Sequence, residues 1–248
     1  MCGTCGCDTR PGMNGTEPAD TKSVVVLENL LAENDRIATH VRDHFDAHRI
    51  LAVNLMSSPG AGKTSLLEAT IDALPPGIRV AVIEGDLETE NDADRIRRHG
   101  VRAVQITTGV ACHLDATMVH DALHDLSLRD VDILFIENVG NLVCPAEFDI
   151  GQHRNVVLLA VTEGDDKPEK YPLIFRSADI VLFTKTDLLP YLDDFNLERA
   201  HFSVARVRGG VRIEEVSVKT TSGLDRWIDW LVIELAVHRS ALKSASAA

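Results

Sequence analysis

The sequence predicts a three-layer α/β domain in which helices cover both faces of a mostly parallel central sheet. Seven short apolar runs predict strands, because each is nearly continuous in the way of strands buried on both faces. They lie at 50–56, 79–84, 101–106, 131–136, 155–161, 179–184 and 211–216. Segments with helical spacing of apolar residues separate most of them, near 64–73, 91–99, 113–126, 169–177 and 193–207, with a last one at 222–239.

Composition limits the partners that the chain is expected to have. The 248 residues are 45% hydrophobic and 25% charged, which suffices for one large domain with short extensions. A net charge of -13 repels nucleic acid and anionic membranes. No stretch approaches the roughly 20 apolar residues that span a bilayer, and the N-terminus lacks the apolar core of a secretory signal. We therefore expect a cytoplasmic protein that binds neither nucleic acid nor membrane.

The N-terminal region is predicted to be a flexible tail followed by a helix. Residues 1–23 contain few bulky apolar side chains and carry Cys2, Cys5 and Cys7. Apolar residues recur at helical spacing over 24–48, which predicts an amphipathic helix that belongs to one domain spanning 24–248. Three such closely spaced thiolates suit a soft or borderline divalent metal such as Ni²⁺, and they are too close for a typical zinc finger. The alternative is a reactive tail without a dedicated role.

A phosphate-binding loop is predicted where the first strand meets the next helix. The sequence from Ser57 to Thr64 is Ser-Ser-Pro-Gly-Ala-Gly-Lys-Thr, in which two glycines allow backbone N–H groups to point at an anion. Lys63 would contact the outer phosphates and the Thr64 hydroxyl would bind Mg²⁺. Ser57 departs from the usual first glycine, but it ends the strand. The predicted loop comprises Gly60, Ala61, Gly62, Lys63, Thr64 and Ser65; a glycine-rich turn that binds nothing is the alternative.

Acidic residues follow two of the predicted strands. Asp86 comes after the strand at 79–84 and Glu137 after that at 131–136. Ligands of open α/β sheets bind at the carboxyl ends of strands, where carboxylates can hold Mg²⁺. Gly140 is placed to contact a γ-phosphate through its N–H group. We predict Lys63, Thr64, Asp86 and Glu137 as the catalytic set, against the alternative of solvated acids at strand ends.

Two later segments favour guanine as the base. Thr184-Lys185-Thr-Asp187 is similar to the Asn-Lys-x-Asp segment of GTPases, in which the aspartate accepts hydrogen bonds from guanine N1–H and the 2-amino group. Thr184 stands where Asn is usual, so looser bracing of the neighbouring loops is expected. Ser217, Val218 and Lys219 resemble the Ser-Ala-Lys loop that meets guanine O6. The predicted nucleotide is therefore GTP or GDP.

A second set of possible metal ligands lies in the body of the chain. Cys112 and His113 precede a predicted helix, and Cys144 follows Gly140 by four residues. Both segments leave the same end of the sheet, and two sulfurs with one imidazole leave a coordination position open. Two buried core cysteines are the alternative. His120 and His124 are taken as surface residues, and the remaining histidines show no useful spacing.

Taken together, these motifs resemble those of the HypB family of hydrogenase nickel-incorporation GTPases over nearly the whole chain. The resemblance rests on the cysteines of the tail, on 57–64, on 84–86, on 109–116, on 137–145 and on 161–168. The segment Asn-Val-Gly-Asn-Leu-Val-Cys-Pro at 138–145 is the most specific of these.

The resemblance implies a SIMIBI-like P-loop GTPase with slow hydrolysis that delivers Ni²⁺ to the large-subunit precursor of [NiFe]-hydrogenase. It also implies a HypA-type metallochaperone partner, a nucleotide-dependent homodimer, a nickel site on the tail, and a Ni²⁺ or Zn²⁺ site at Cys112, His113 and Cys144 shared across the dimer. No histidine-rich stretch follows the tail, so bulk nickel storage is not expected. A nickel store or sensor that retains nucleotide binding, and a urease-type nickel GTPase, are the alternatives.

Overall fold

The computed structural model describes residues 21–86, 91–109 and 111–246, so Cys2, Cys5 and Cys7 of the predicted tail lie outside the described residues, while residues 21–23 of that tail begin the first helix. Seven strands form one sheet in the order β3-β2-β4-β1-β5-β6-β7, and every neighbouring pair is parallel. The strands are β1 (Leu51–Ser57), β2 (Val80–Asp86), β3 (Arg102–Thr107), β4 (Ile133–Glu137), β5 (Arg154–Ala160), β6 (Ile180–Thr184) and β7 (Arg212–Val216). Each corresponds to a predicted strand, which confirms the α/β fold class.

Eight helices and two short 3₁₀ segments are found among the described residues. The helices are α1 (Thr21–Ala47), α2 (Lys63–Ala73), α3 (Asn91–Arg97), α4 (Ala116–Asp125), α5 (Lys167–Lys170), α6 (Pro172–Ser177), α7 (Leu197–Val207) and α8 (Leu224–Ser246). The 3₁₀ segments are Cys144–Ala146 and Thr186–Tyr191. None of the described helices is both long and apolar enough to cross a membrane.

Several helix boundaries differ from the sequence-based expectation; α8, for example, continues to Ser246 and not only to 239. Three of the differences have a local reason. Helix α4 begins later than predicted because Asp115 caps it, accepting a hydrogen bond from the Met118 N–H at 2.8 Å. Helix α7 likewise begins after Asn196, whose side chain accepts from the Arg199 N–H at 2.9 Å. The helix predicted over 169–177 is divided into α5 and α6, because Pro172 disfavours helical angles at the preceding residue.

Helices pack on both faces of the sheet. On one face α1 lies against α4, and Val41 and Phe45 of α1 share a buried apolar cluster with Val119 of α4. On the other face α8 packs near α2, where the fully buried Trp227 donates its indole N–H to the Thr70 hydroxyl at 2.8 Å. These helix layers fix the position of the sheet between them. The predicted site residues lie at the carboxyl edge of the sheet, directly after the strands.

Candidate functional site

The phosphate loop bounds a cavity of about 440 Å³ at the carboxyl edge of the sheet. Gly60 and Gly62 have φ angles of 74° and 98°, a region that glycine enters without strain. Gly62 is the cap of α2, so the N-terminus of that helix opens into the cavity. The cavity brings together these predicted residues: Gly60, Gly62, Lys63, Thr64, Ser65, Asp86, Glu137, Gly140 and Lys185.

Lys63 and Thr64 are held in the cavity by hydrogen bonds and charge. Lys63 is only 7% exposed; its Nζ donates to Ser57 Oγ at 3.1 Å and lies 4.0 Å from Glu137 Oε1. The Thr64 hydroxyl donates to the same Glu137 oxygen at 3.0 Å. Ser57, which stands in place of the usual glycine, therefore gives the lysine a partner and does not disrupt the loop.

Glu84 is a buried carboxylate that faces Glu137. The register of β2 and β4 pairs the two residues, and Glu84 is 2% exposed. Burial, followed by the neighbouring Glu137 charge, raises the pKa of Glu84 well above its usual value. Burial also raises the pKa of Glu137, while the Lys63 charge opposes that rise. Two carboxylates in a dry site therefore favour a compensating cation.

The chemistry of these donors fits Mg²⁺. Among the described residues, Glu84 Oε1 and Glu137 Oε2 are buried without a hydrogen-bond partner. Together with the Thr64 hydroxyl they offer only oxygen atoms, which are the ligands that Mg²⁺ prefers. Asp86, at the end of β2, lines the same cavity.

A second cavity of about 450 Å³ adjoins the first and shares Gly62 and Lys185 with it. It is also lined by Ala61, Thr184, Asp187, Val218 and Lys219. The Lys185 ammonium group donates to the Gly60 carbonyl at 2.7 Å, so its side chain spans the phosphate loop. The two predicted base-binding segments thus meet beside the phosphate cavity.

Two side-chain hydroxyl groups hold in place residues around this second cavity, which is the predicted base pocket. The Thr184 hydroxyl donates to the Ala61 carbonyl at 2.7 Å, so threonine does brace the phosphate loop at the position where Asn was expected. Ser217 is fully buried and donates to Asp187 Oδ1 at 2.7 Å. Ser217 therefore orients Asp187 and does not itself line the cavity.

The three predicted inner metal ligands lie together. The ligand atoms of Cys112, His113 and Cys144 are all within 4.8 Å of one another. The Sγ atoms of the two cysteines are 2.8 Å apart, and Cys112 Sγ is 3.9 Å from His113 Nδ1. The His113 ring stacks on Phe148 with centroids 4.0 Å apart. All three ligands are half-buried, so this inner thiolate site stays accessible, and its sulfur and imidazole donors suit Ni²⁺ or Zn²⁺.

Asn138 joins the nucleotide cavity to the inner thiolate site. It lines the cavity yet is 1% exposed overall. Its Oδ1 accepts from the Leu114 N–H at 3.1 Å, two residues after Cys112, and its Nδ2 donates to Asn54 Oδ1 at 3.3 Å. One buried amide therefore contacts β1 and the loop that carries two metal ligands.

Gly140 lies against the phosphate loop. A Cβ atom at this position would be 2.8 Å from Pro59 Cα, so only glycine fits there without a backbone shift. The segment from Glu137 to Cys144 therefore starts at the buried carboxylates, passes the phosphate loop and ends at the inner thiolate site.

Comparisons with known proteins agree on one family. Residues 51–213 match the model of the CobW/HypB/UreG nucleotide-binding domain. The hydrogenase maturation factor HypB of Rhizobium leguminosarum bv. viciae is 46% identical over 234 residues, 94% of this chain and 76% of that protein. The chain belongs to the HypB family. HypB of Escherichia coli (strain K12) is 49% identical over 221 residues, 89% of this chain and 74% of that protein.

Solved HypB structures share the fold. The crystal structure of HypB from Helicobacter pylori in complex with nickel has a TM-score of 0.80 and 38% identity, covering 84% of this chain and 97% of that one. HypB from Archaeoglobus fulgidus has a TM-score of 0.77 and 40% identity, covering 83% and 100%. The family assignment confirms the resemblance and the GTPase fold, while the roles of individual site residues stay predictions.

Sequence reasoning missed several residues of this HypB-family site. Glu84 ends an apolar run just as Glu137 does, so the same signal was present in the sequence. Arg95 of α3 lines the nucleotide cavity and donates to Ser65 Oγ at 3.2 Å, but no pattern in the sequence marks it. Asn138 was visible only as part of a family motif.

We expect Glu84→Gln to stabilise the nucleotide-free protein at pH 8. Because the folded pKa of Glu84 is raised, its contribution to stability is present below about pH 4.3, the ordinary pKa of glutamate, and is lost as pH rises. The side-chain amide of glutamine does not ionise, so this loss of stability at high pH does not occur. The amide N–H can also donate a hydrogen bond to Glu137. The melting temperature should rise by about 2–4 °C, the effect of about 1 kcal/mol in a domain of this size, and should change less at pH 4.5.

The exposed Glu198→Gln serves as the matched control: Glu198 lies in the first turn of α7, so losing its charge should lower the melting temperature slightly at pH 8 and less at pH 4.5, the opposite direction to Glu84→Gln. A lower melting temperature of Glu84→Gln at pH 8 would contradict the interpretation that this carboxylate is strained by burial.

Proposed function

We propose that this chain is a GTP-hydrolysing nickel metallochaperone that delivers Ni²⁺ to the large-subunit precursor of [NiFe]-hydrogenase. The observation that carries the proposal is the connection between the nucleotide cavity and the inner thiolate site through Asn138 and the segment ending at Cys144. Support comes from relatives named hydrogenase maturation factors and from a similar HypB structure in complex with nickel.

In the proposed reaction, water attacks the γ-phosphorus of GTP and the bond to the bridging β,γ-oxygen breaks, giving GDP and phosphate. Bound Mg²⁺ would neutralise charge that develops on the phosphoryl oxygens. Thr64, Asp86 and Glu137 would hold the cation, with Glu84 beside Glu137. Lys63 would contact the outer phosphates, and Gly140 would offer its N–H group to the γ-phosphate. No described residue is identified as the group that orients the water, which fits slow turnover.

In the proposed delivery step, Cys112, His113 and Cys144 hold Ni²⁺ as cargo, and Zn²⁺ suits the same ligands. Three ligands leave a coordination position open, so a second copy of the chain is the proposed source of further ligands in a homodimer. Cys2, Cys5 and Cys7 form the proposed second nickel site. A HypA-type metallochaperone is the proposed partner, and the cytoplasm the proposed location.

Nucleotide state is proposed to set the nickel affinity of the inner thiolate site. A γ-phosphate at Gly140 would shift the segment that carries Cys144, and a coupling of about 1–3 kcal/mol changes affinity roughly 5–150-fold. The test uses a variant with Ser at Cys2, Cys5 and Cys7, so that the tail cysteines do not contribute. Its Ni²⁺ affinity is determined by competition with a chromophoric chelator, with GDP and with a non-hydrolysable GTP analogue. Equal affinities in the two states would contradict the proposal.

Base preference gives a separate prediction. Asp187→Asn should weaken GTP binding by roughly 10–150-fold, because one charge-assisted hydrogen bond of about 1.5–3 kcal/mol is lost. ATP binding should change little, since adenine lacks the N1–H and 2-amino donors. Competition with a fluorescent nucleotide measures both constants. The exposed Asp193→Asn is the control, and an equal loss of GTP and ATP affinity in Asp187→Asn would count against a guanine site.

A further inference from the structure

Four of the ten histidines lie on two neighbouring helices, and a fifth follows the end of one of them. His40, His44 and His48 follow one another at four-residue intervals on α1 and just beyond its end, and His120 and His124 do so on α4. Side chains four residues apart share a face of a helix. Because α1 and α4 pack together, the two rows meet in space. His120 is half-buried and His124 exposed, in keeping with their treatment as surface residues. The expectation that the remaining histidines show no useful spacing does not hold for His40, His44 and His48.

The ring separations suit coordination of a shared cation. The His120 and His124 rings have centroids 5.3 Å apart, and His40 and His120 are 5.6 Å apart across the two helices. Two imidazoles on one tetrahedral or square-planar metal, with metal–nitrogen distances of about 2.0–2.1 Å, have centroids roughly 4.6–5.3 Å apart. The His120–His124 separation lies at the upper end of that range, and the His40–His120 separation lies just above it. Ligand atoms of His120, Asp121 and His124 already lie within 4.8 Å of one another.

The rings of this group can be reached from solvent. Neutral imidazole is the form that binds metals. His40 and His124 are exposed and His120 is half-buried, so a cation can reach them.

A second histidine cluster lacks this capacity. Asp46, His153 and His238 also lie within 4.8 Å of one another. However, His153 Nδ1 accepts from the Ala52 N–H at 2.9 Å, so its Nε2 carries the proton and faces Asp46 at 3.0 Å. With both ring nitrogens engaged, His153 has no lone pair for a metal, and this cluster serves the structure of the chain.

We propose that His40, His120 and His124 form a further binding site for a borderline divalent cation, Ni²⁺ or Zn²⁺, with Asp121 as an additional ligand. Its imidazole donors match that class of metal. The site goes beyond the proposed function, because it needs neither the cysteines nor a nucleotide. His120 and His124 lie on the helix that begins three residues after His113.

The test uses the full chain with all five cysteines replaced by Ser, so that thiolate sites do not contribute. Equilibrium dialysis with Ni²⁺ alone should show about one bound equivalent. When His120→Ala and His124→Ala are introduced together into this cysteine-free chain, Ni²⁺ binding should be lost or its affinity should fall by at least roughly tenfold. His40→Ala alone should lower the Ni²⁺ affinity less. His201→Ala on α7 is the matched control and should leave binding unchanged.

Retention of bound Ni²⁺ after the His120 and His124 replacements, or its absence from the parent, would overturn the proposal. If the cysteine-free chain does not fold, the wild-type chain replaces it as the parent. The double histidine variant should then bind one equivalent fewer than the wild type, and equal stoichiometries would overturn the proposal. Neither measurement depends on the coupling between GTP and the inner thiolate site. The histidine site can therefore be confirmed or overturned whether or not the proposed function holds.

Discussion

Replacing Lys63 by alanine is expected to reduce GTP hydrolysis by roughly 10²–10³-fold, the loss that follows removal of one group that stabilises developing charge. Lys63 is the buried cation at the floor of the nucleotide cavity, between Ser57 Oγ and Glu137 Oε1. No other described lysine combines this burial with a place in the phosphate loop. Phosphate release at saturating GTP measures the effect.

The control for this variant is Lys170→Ala on α5, which removes an exposed lysine paired with Asp166. Its hydrolysis rate should stay within about twofold of the wild type, as for a surface pair of small energetic value. Absence of phosphate release from the wild type would favour a nickel store or sensor that merely binds nucleotide. An undiminished rate in Lys63→Ala would instead exclude the proposed role of this cavity in hydrolysis.

The sheet was predictable because the signal for each strand lies within its own residues. The inner strands are short apolar runs, because burial on both faces of a parallel sheet leaves little room for polar residues, whereas the edge strands β3 and β7 carry more polar residues. Helix boundaries were less predictable, since they depend on single caps. Asp115 and Asn196 accept hydrogen bonds from the first turns of α4 and α7, and each moves the start of its helix by a few residues.

The candidate site was predictable only where its residues are contiguous. The order of residues from Gly60 to Ser65 is by itself enough to predict a phosphate-binding loop. The proximity of Cys112 and Cys144 could be predicted because both segments leave the same edge of the sheet. The contact of Glu84 with Glu137 depends on the register of β2 and β4, which the sequence does not specify. The histidine rows on α1 and α4 meet only because these helices pack together, and sequence separation conceals that contact.

Asn138→Ala is expected to weaken the coupling of the inner thiolate site to the nucleotide. The substitution leaves the Leu114 N–H and Asn54 Oδ1 buried without their partner, at about 1–3 kcal/mol for each group, so a loss of roughly 2–6 kcal/mol in unfolding free energy should follow. Asn141 Nδ2 still donates to the Cys112 carbonyl at 3.3 Å, so the segment after Glu137 keeps one hydrogen bond to the loop that carries Cys112. The difference between the Ni²⁺ affinities with GDP and with a GTP analogue should therefore become clearly smaller than in the wild type.

Asn155→Ala separates this weakened coupling from simple destabilisation. Asn155 Oδ1 accepts from Asn54 Nδ2 at 3.0 Å, so its loss also breaks the buried amide chain, but Asn155 has no hydrogen bond to the metal-binding loop. Both variants should melt at lower temperature, and only Asn138→Ala should weaken the dependence of nickel affinity on nucleotide. If both variants keep that dependence in full, the signal passes through Asn141 or through the backbone from Gly140 to Cys144. If both variants lose the dependence of nickel affinity on nucleotide, the coupling depends on the stability of the buried amide chain as a whole. Asn155 is connected to the metal-binding loop through hydrogen bonds of Asn54 and Asn138.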